Sequence, residues 1–221
     1  LLLFVAAPAP AASPPAVGGG GSAVPQLLLI HGGSFLFEDP TFEELTSAAA
    51  RAAGFAPHYL RYPLGDMPAA FQAARAEAIR LRATYGSAVY AYGTSAGGTL
   101  AALLAGDGLV SAAVAKAPPT DLLGWNWPLG AYGPDYYRQI GLGPAARRRL
   151  SPLRRPARRP LLVVQGRRDR VVPLAMNAAF AAKFKQVHLW VVRGGHHTER
   201  ARPELLVRAF EWLGRVAIVV R

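Results

Sequence analysis

The sequence predicts an α/β fold with a mostly parallel central sheet and helices on both faces. Two observations carry this reading. Short apolar runs alternate with longer amphipathic segments, the rhythm of repeated βαβ units. Several of the runs also end in glycine-rich or polar turns, where open α/β sheets gather their functional groups. With 221 residues, 52% of them hydrophobic, the chain is long enough for one domain with a sizeable core.

The first 23 residues stand apart from this rhythm. Leu1-Leu2-Leu3-Phe4-Val5-Ala6-Ala7 is a short apolar run that passes into Pro, Ala and Ser and then Gly18 to Gly21. It reads as the tail of a secretory leader, with Ala9-Pro10-Ala11 near a cleavage point, and implies an exported protein. The alternative is a buried element at the domain edge. The run is too short to span a bilayer. The folded domain is expected over 24–221, with little sequence before its first strand.

Strands are expected at Leu27–His31, Ala56–Arg61, Ala88–Tyr92, Val110–Lys116, Leu161–Gln165 and His188–Val192. Helices are expected between and after them. Phe42–Ala53 carries Glu43 and Glu44 in its first turn, where they suit the helix dipole. Pro68–Tyr85 opens on a proline, as does Pro203–Val216, and proline is well placed at a first helical position. Ala96–Ala105 is small and apolar, as a helix packed on a sheet should be. Leu174–Phe184 follows Pro173. From about 118 to 160 the rhythm breaks. That stretch holds Trp125, Trp127, Tyr132, Tyr136 and Tyr137 and then an arginine cluster, and it is too long for a simple connection. It reads as an insertion.

The formal charge is +12, from 22 Arg and 3 Lys. No zinc-finger spacing, aromatic RNA-binding signature or continuous basic helix accompanies it, so no nucleic-acid partner is expected. There is no cysteine, which excludes disulfides, thiolate nucleophiles and cysteine-ligated metals.

Four segments carry chemistry. Gly93-Thr94-Ser95-Ala96-Gly97-Gly98 lies between a strand run and a helix, the strand–turn–helix context of a G-x-S-x-G nucleophile elbow. The serine sits in a strained turn, and bulk two residues before or after it would strike the neighbouring strand and helix. The Ala96 N–H at the helix start would donate to a developing oxyanion. His31-Gly32-Gly33-Ser34-Phe35 follows the first strand and matches an HGG-type loop, with Gly33 and Ser34 as further donors and His31 as a loop support. Asp169, in Gly166-Arg167-Arg168-Asp169, follows the fifth strand run more directly than Asp107, Asp121 or Asp135 follows any strand. That position suits an orienting acid. Gly194-Gly195-His196-His197 follows the last strand. His197 is the expected general base, with His196 as the alternative. Trp125 and Trp127 either line a substrate pocket or pack the insertion onto the body. His58 and His188 sit inside strand runs and read as structural.

The order Ser95, Asp169, His197 is that of the α/β-hydrolase triad. These residues resemble the α/β-hydrolase superfamily, and within it the small esterases related to hormone-sensitive lipase and to carbohydrate-ester esterases. Gly93 to Gly98 is similar to their G-D-S-A-G-G elbow, with Thr94 in place of the acidic residue. Tyr62-Pro63-Leu64-Gly65 through Pro68-Ala69-Ala70 resembles their Y-R-L-A-P segment. The resemblance spans about Pro25 to Trp212. It implies hydrolysis of a small carboxylic ester through an acyl-enzyme, without metal or other cofactor; the chain departs from the family in an abbreviated N-terminus, with little sequence before the strand Leu27 to Ile30. Ala96 stands where peptidases of the prolyl oligopeptidase type more often carry an aromatic residue. Such a peptidase, and a non-catalytic exported binding protein, are the alternatives.

Overall fold

The computed structural model describes residues 24–39, 41–197 and 203–219, with side chains to 216; the leader-like segment lies outside the described residues. Six strands form one sheet: β1 (Gln26–Ile30), β2 (Ala56–Leu60), β3 (Val89–Thr94), β4 (Ala113–Lys116), β5 (Leu161–Gly166) and β6 (Val187–Val192). Their spatial order is β2-β1-β3-β4-β5-β6, and every neighbouring pair is parallel.

Alternation along β1 divides the core. Leu28 and Ile30 face one side, with Phe71 and Leu81 of α2 (Met67–Tyr85), Leu100 and Leu104 of α3 (Ala96–Asp107) and Phe180. Leu27 and Leu29 face the other, with Phe42 and Ala50 of α1 (Phe42–Ala52) and Phe210 and Leu213 of the last helix (Pro203–Val219). The chain therefore crosses from one face to the other after β2. This makes the adjacent ends of β1 and β3 a topological switch point, where open α/β sheets bind ligands.

Two strand expectations need correction. β4 begins at Ala113 rather than Val110. β3 runs through Gly93 and Thr94, which pair with Ala115 and Lys116, so the turn is compressed into Ser95 alone. Between β4 and β5 the chain forms α4 (Trp127–Ala131), α5 (Tyr136–Gln139), α6 (Pro144–Arg149) and a 3₁₀ turn (Pro152–Arg154). α7 (Leu174–Lys183) then leads to β6, and the last helix becomes α8. Among the described residues no helix is long and apolar enough to cross a membrane.

Candidate active site

Ser95 stands at the C-terminal end of β3 with φ 52° and ψ −116°, a strained conformation for a residue with a Cβ. Its N–H donates to the Lys116 carbonyl at 2.8 Å, and its carbonyl accepts from Thr99 N–H at 3.0 Å. The flanking glycines are steric necessities. A Cβ on Gly93 would lie 2.2 Å from the Gly97 carbonyl oxygen. A Cβ on Gly97 would lie 2.2 Å from that of Ile30 and 2.3 Å from that of His31. The elbow is thus wedged between the start of α3 and the end of β1.

The loop after β1 carries three consecutive residues with positive φ: Gly33 (102°), Ser34 (55°) and Phe35 (60°). Its turn closes through Leu36 and Phe37 N–H to the Gly33 carbonyl, both at 2.9 Å. Tyrosine hydroxyls hold the rest. Tyr62 donates to the carbonyls of His31 (3.0 Å) and Gly32 (3.1 Å), and Tyr136 donates to that of Ser34 (3.0 Å). Tyr132 and Ser34 share a hydroxyl–hydroxyl bond of 3.1 Å. His31 stacks on Tyr62, and its Nδ1–H donates to the Gly32 carbonyl at 2.7 Å; burial pushes its pKa below 6.5.

Ser95, His197 and Asp169 meet in one chain of hydrogen bonds. The Ser95 hydroxyl donates to His197 Nε2 at 2.9 Å, and His197 Nδ1–H donates to Asp169 Oδ2 at 2.9 Å. His196, the neighbouring imidazole, is exposed. The rival carboxylates are engaged elsewhere: Asp107 with Arg75 and Arg155, Asp121 with Arg154, and Asp135 with Arg138. The loop after β6 reaches across β5 because two glycines touch. A Cβ on Gly166 would lie 2.5 Å from the Gly195 carbonyl oxygen, which accepts from Arg168 N–H at 2.8 Å.

Asp169 Oδ1 accepts from the N–H groups of Val171 (2.8 Å) and Val172 (2.9 Å). Burial pushes its carboxyl up, but the hydrogen bond and charge of His197 and these two N–H donors outweigh burial. The net effect holds it below its ordinary 3.8. It is a carboxylate wherever an imidazole titrates.

Behind Asp169 lies a polar chain that sequence reasoning missed. Gln165 Nε2 donates to Asp169 Oδ2 (3.1 Å), Asn177 Nδ2 to Gln165 Oε1 (2.6 Å), and Thr120 Oγ1 to Asn177 Oδ1 (2.9 Å). Gln165, Asn177 and Thr120 are completely buried. Their signal is one polar residue inside each of the apolar runs Leu161–Gly166 and Leu174–Lys183.

A cavity of about 380 Å³ opens over Ser95 and His197. Gly32, Gly33 and Ser34 form its floor side, and Trp127 and Tyr132 come from the insertion. Phe42, Leu45, Leu205 and Leu206 supply an apolar wall from α1 and α8 that the sequence reading did not anticipate. Trp125 is a correction. It does not line this cavity; it is 2% exposed, its Nε1–H donates to the Val171 carbonyl at 2.8 Å, and it packs the insertion onto the body. Ala96 is buried at the first position of α3, where a helix N–H has no intrahelical acceptor. Among the described residues no group of three or more His, Cys, Asp or Glu is placed to hold a metal.

An all-parallel sheet with flanking helices and a strained serine elbow after β3 defines an α/β-hydrolase. Within that superfamily the chain belongs to the prolyl oligopeptidase family (Peptidase_S9), whose profile matches residues 63–217. Solved structures share the fold at low identity. A truncated carbohydrate esterase from gut microbiota superposes with a TM-score of 0.76 at 17% identity, covering 90% of this chain and 88% of that one. An acetyl ester-xyloside bifunctional hydrolase from Caldicellulosiruptor lactoaceticus gives 0.75 at 15%, covering 90% and 86%. A propionate-bound esterase from Thermogutta terrifontis gives 0.70 at 19%, covering 93% and 87%. No curated protein matches by sequence.

Proposed function

We propose that the protein hydrolyses small carboxylic esters through an acyl-enzyme on Ser95. The observation that carries this reading is the bond chain from the Ser95 hydroxyl through His197 to Asp169. The carboxylate holds Nδ1 protonated, which leaves Nε2 free to take the serine proton as Oγ attacks the ester carbonyl. Asp169 then stabilises the imidazolium. The N–H groups of Gly33, Ser34 and Ala96 receive the oxyanion. The imidazolium protonates the leaving alcohol, and a water deprotonated by the same nitrogen cleaves the acyl-enzyme. The site's volume lies at the small end of ligand pockets and its walls are largely apolar, which suits a short acyl group.

A serine-reactive fluorophosphonate probe and p-nitrophenyl acetate test this together. Wild type should label and turn over. Ser95→Ala should lose labelling and several orders of magnitude in rate. Undiminished hydrolysis by Ser95→Ala would overturn the reading, and so would failure of the wild type to label.

Membership of the prolyl oligopeptidase family favours a second reading, the same triad acting on a peptide bond. Dipeptide anilides compared with p-nitrophenyl esters on one preparation separate the two. Higher kcat/KM on the anilides would replace ester by peptide hydrolysis and leave the roles of the residues unchanged.

A further inference from the structure

Several of the insertion's arginines are committed. Arg147 lies over the Tyr137 ring at 3.7 Å and donates to the carbonyls of Leu122 (2.9 Å) and Leu123 (3.1 Å), and Arg154 faces Asp121. A second cavity, of about 200 Å³, accounts for others. It lies between α2 and the root of the insertion and shares no lining residue with the catalytic cavity. Pro68, Phe71 and Leu150 give it an apolar side, and Arg75, Arg149 and Arg155 give it a cationic one.

The charges there do not balance. Arg75 and Arg155 both bond to the carboxylate of Asp107, whose side chain is 13% exposed, so one negative charge serves two guanidiniums. Arg149 is exposed and has no carboxylate partner among the described residues. Three cations against one anion leave an excess of two positive charges around a concave space. The guanidinium carbons of Arg75 and Arg155 each lie 5.7 Å from the Phe71 ring centroid, which fixes both forks beside the apolar side. Three guanidiniums lining a cavity with an excess of two positive charges suit a dianion better than a monocarboxylate.

We propose that this cavity is a binding site for the phosphate dianion, free or carried as the monoester of a small molecule. The site is independent of the hydrolytic reading above. Arg149 completes it from the insertion, and the bound anion would tie α6 to α2.

Calorimetry on the full chain with inorganic phosphate and with phenyl phosphate tests this, against sodium acetate and sodium chloride at equal ionic strength. Phosphate should bind and raise the unfolding midpoint where acetate and chloride do not. Arg149→Gln removes an exposed, unpaired fork and should leave the fold intact. It should weaken phosphate binding roughly tenfold or more, the loss of a hydrogen bond to a charged group. Arg51→Gln, an exposed arginine at the end of α1, should bind as wild type. Tighter binding of phenyl phosphate than of inorganic phosphate would identify an organic monoester covering Phe71. Equal or weaker binding would identify free phosphate. Wild-type affinity in Arg149→Gln, equal loss in Arg51→Gln, or the same effect from chloride would each overturn the proposal.

Discussion

The most demanding prediction concerns a hydroxyl that touches neither the serine nor the histidine. Tyr136 is completely buried and donates to the Ser34 carbonyl at 3.0 Å. Ser34 and Phe35 both hold left-handed φ, at 55° and 60°. Each costs roughly 1–2 kcal/mol for a residue with a Cβ, so about 2–4 kcal/mol favours relaxation of the loop. Tyr136→Phe leaves the Ser34 carbonyl without that donor, at a cost of about 1–3 kcal/mol. The two magnitudes are comparable, so the N–H groups of Gly33 and Ser34 should drift from their positions part of the time. Complete loss of one oxyanion donor costs on the order of 10²–10³ in rate. Partial loss should therefore lower kcat/KM for p-nitrophenyl acetate about 10- to 100-fold. The unfolding midpoint should drop by roughly 2–4 °C per kcal/mol lost. Steady-state kinetics and thermal denaturation on the same preparation read both. If the midpoint falls while kcat/KM stays at the wild-type value, the tyrosine does not set the loop, and the account of the strained turn is wrong.

Asp169→Asn should keep the fold, because an amide oxygen still accepts from Val171 and Val172 N–H. Its NH₂ would then face two donors, Gln165 Nε2 and His197 Nδ1, forcing the imidazole into the other tautomer. A rate loss on the order of 10⁴ is expected, and a change under tenfold would refute the tautomer account. Because the folded Asp169 carboxyl titrates below 3.8, the stability it contributes is complete above that value and is lost as pH falls through the lower one. The gap in unfolding midpoint between wild type and Asp169→Asn should narrow over that acid range and nowhere else. His31 is depressed below 6.5 by burial, so its contribution is present above 6.5 and lost as pH falls through the folded value. Stability should decline as pH falls below about 6.5 toward the folded value, and His31→Asn, which keeps a donor for Gly32, should flatten that slope; an unchanged slope would assign the decline to other groups. Trp127→Ala removes one wall of the cavity, so kcat/KM for p-nitrophenyl octanoate relative to acetate should rise. A constant ratio would place the acyl group elsewhere. Asn177→Leu strands Gln165 Oε1 and Thr120 Oγ1 in the core, each at about 1–3 kcal/mol. Chemical denaturation should show that loss with a lowered kcat, and an unaltered kcat would make the polar chain purely structural.

What the sequence discloses here is whatever repeats or must be small. The βαβ rhythm places each of the six strands, because a short apolar run between turn signals, too brief for a buried helix, fits a strand covered on both faces. The elbow is legible because Gly93 and Gly97 are forced: a Cβ on either would strike a backbone carbonyl oxygen. The insertion shows as a break in the rhythm, but its internal helices do not, since helices of four to six residues are too short for a period to show. Trp125 and Trp127 are two residues apart in such a stretch, and no pattern distinguishes the one that packs from the one that lines the cavity. The α1 and α8 wall is hidden for a different reason. Phe42, Leu45, Leu205 and Leu206 belong to ordinary amphipathic faces, and only the packing of α1 against α8 turns the ends of those faces toward Ser95.

The spacing of the strands explains why the site needs glycines far from the serine. Ser95 and the loop after β1 leave adjacent strands, so they meet without effort at the switch point. His197 leaves β6, three strands from β3, a distance of roughly 14 Å at about 4.8 Å per strand. Two strands therefore have to be crossed. At β5 the crossing is the contact of Gly166 with Gly195, which no side chain would permit. At β4 the chain leaves through Ala117 with φ 48°, while the Lys116 carbonyl accepts the Ser95 N–H and the Ala117 N–H goes to Val164. The strand next to the elbow is thus used to brace it, and its continuation, the insertion, returns over the cavity only at Trp127 and Tyr132. Strain at Ser95, strain at the loop after β1 and close contact at Gly166 are three local costs of one arrangement: a hydroxyl, an imidazole and the loop after β1, carried by three separate strands, brought to one cavity.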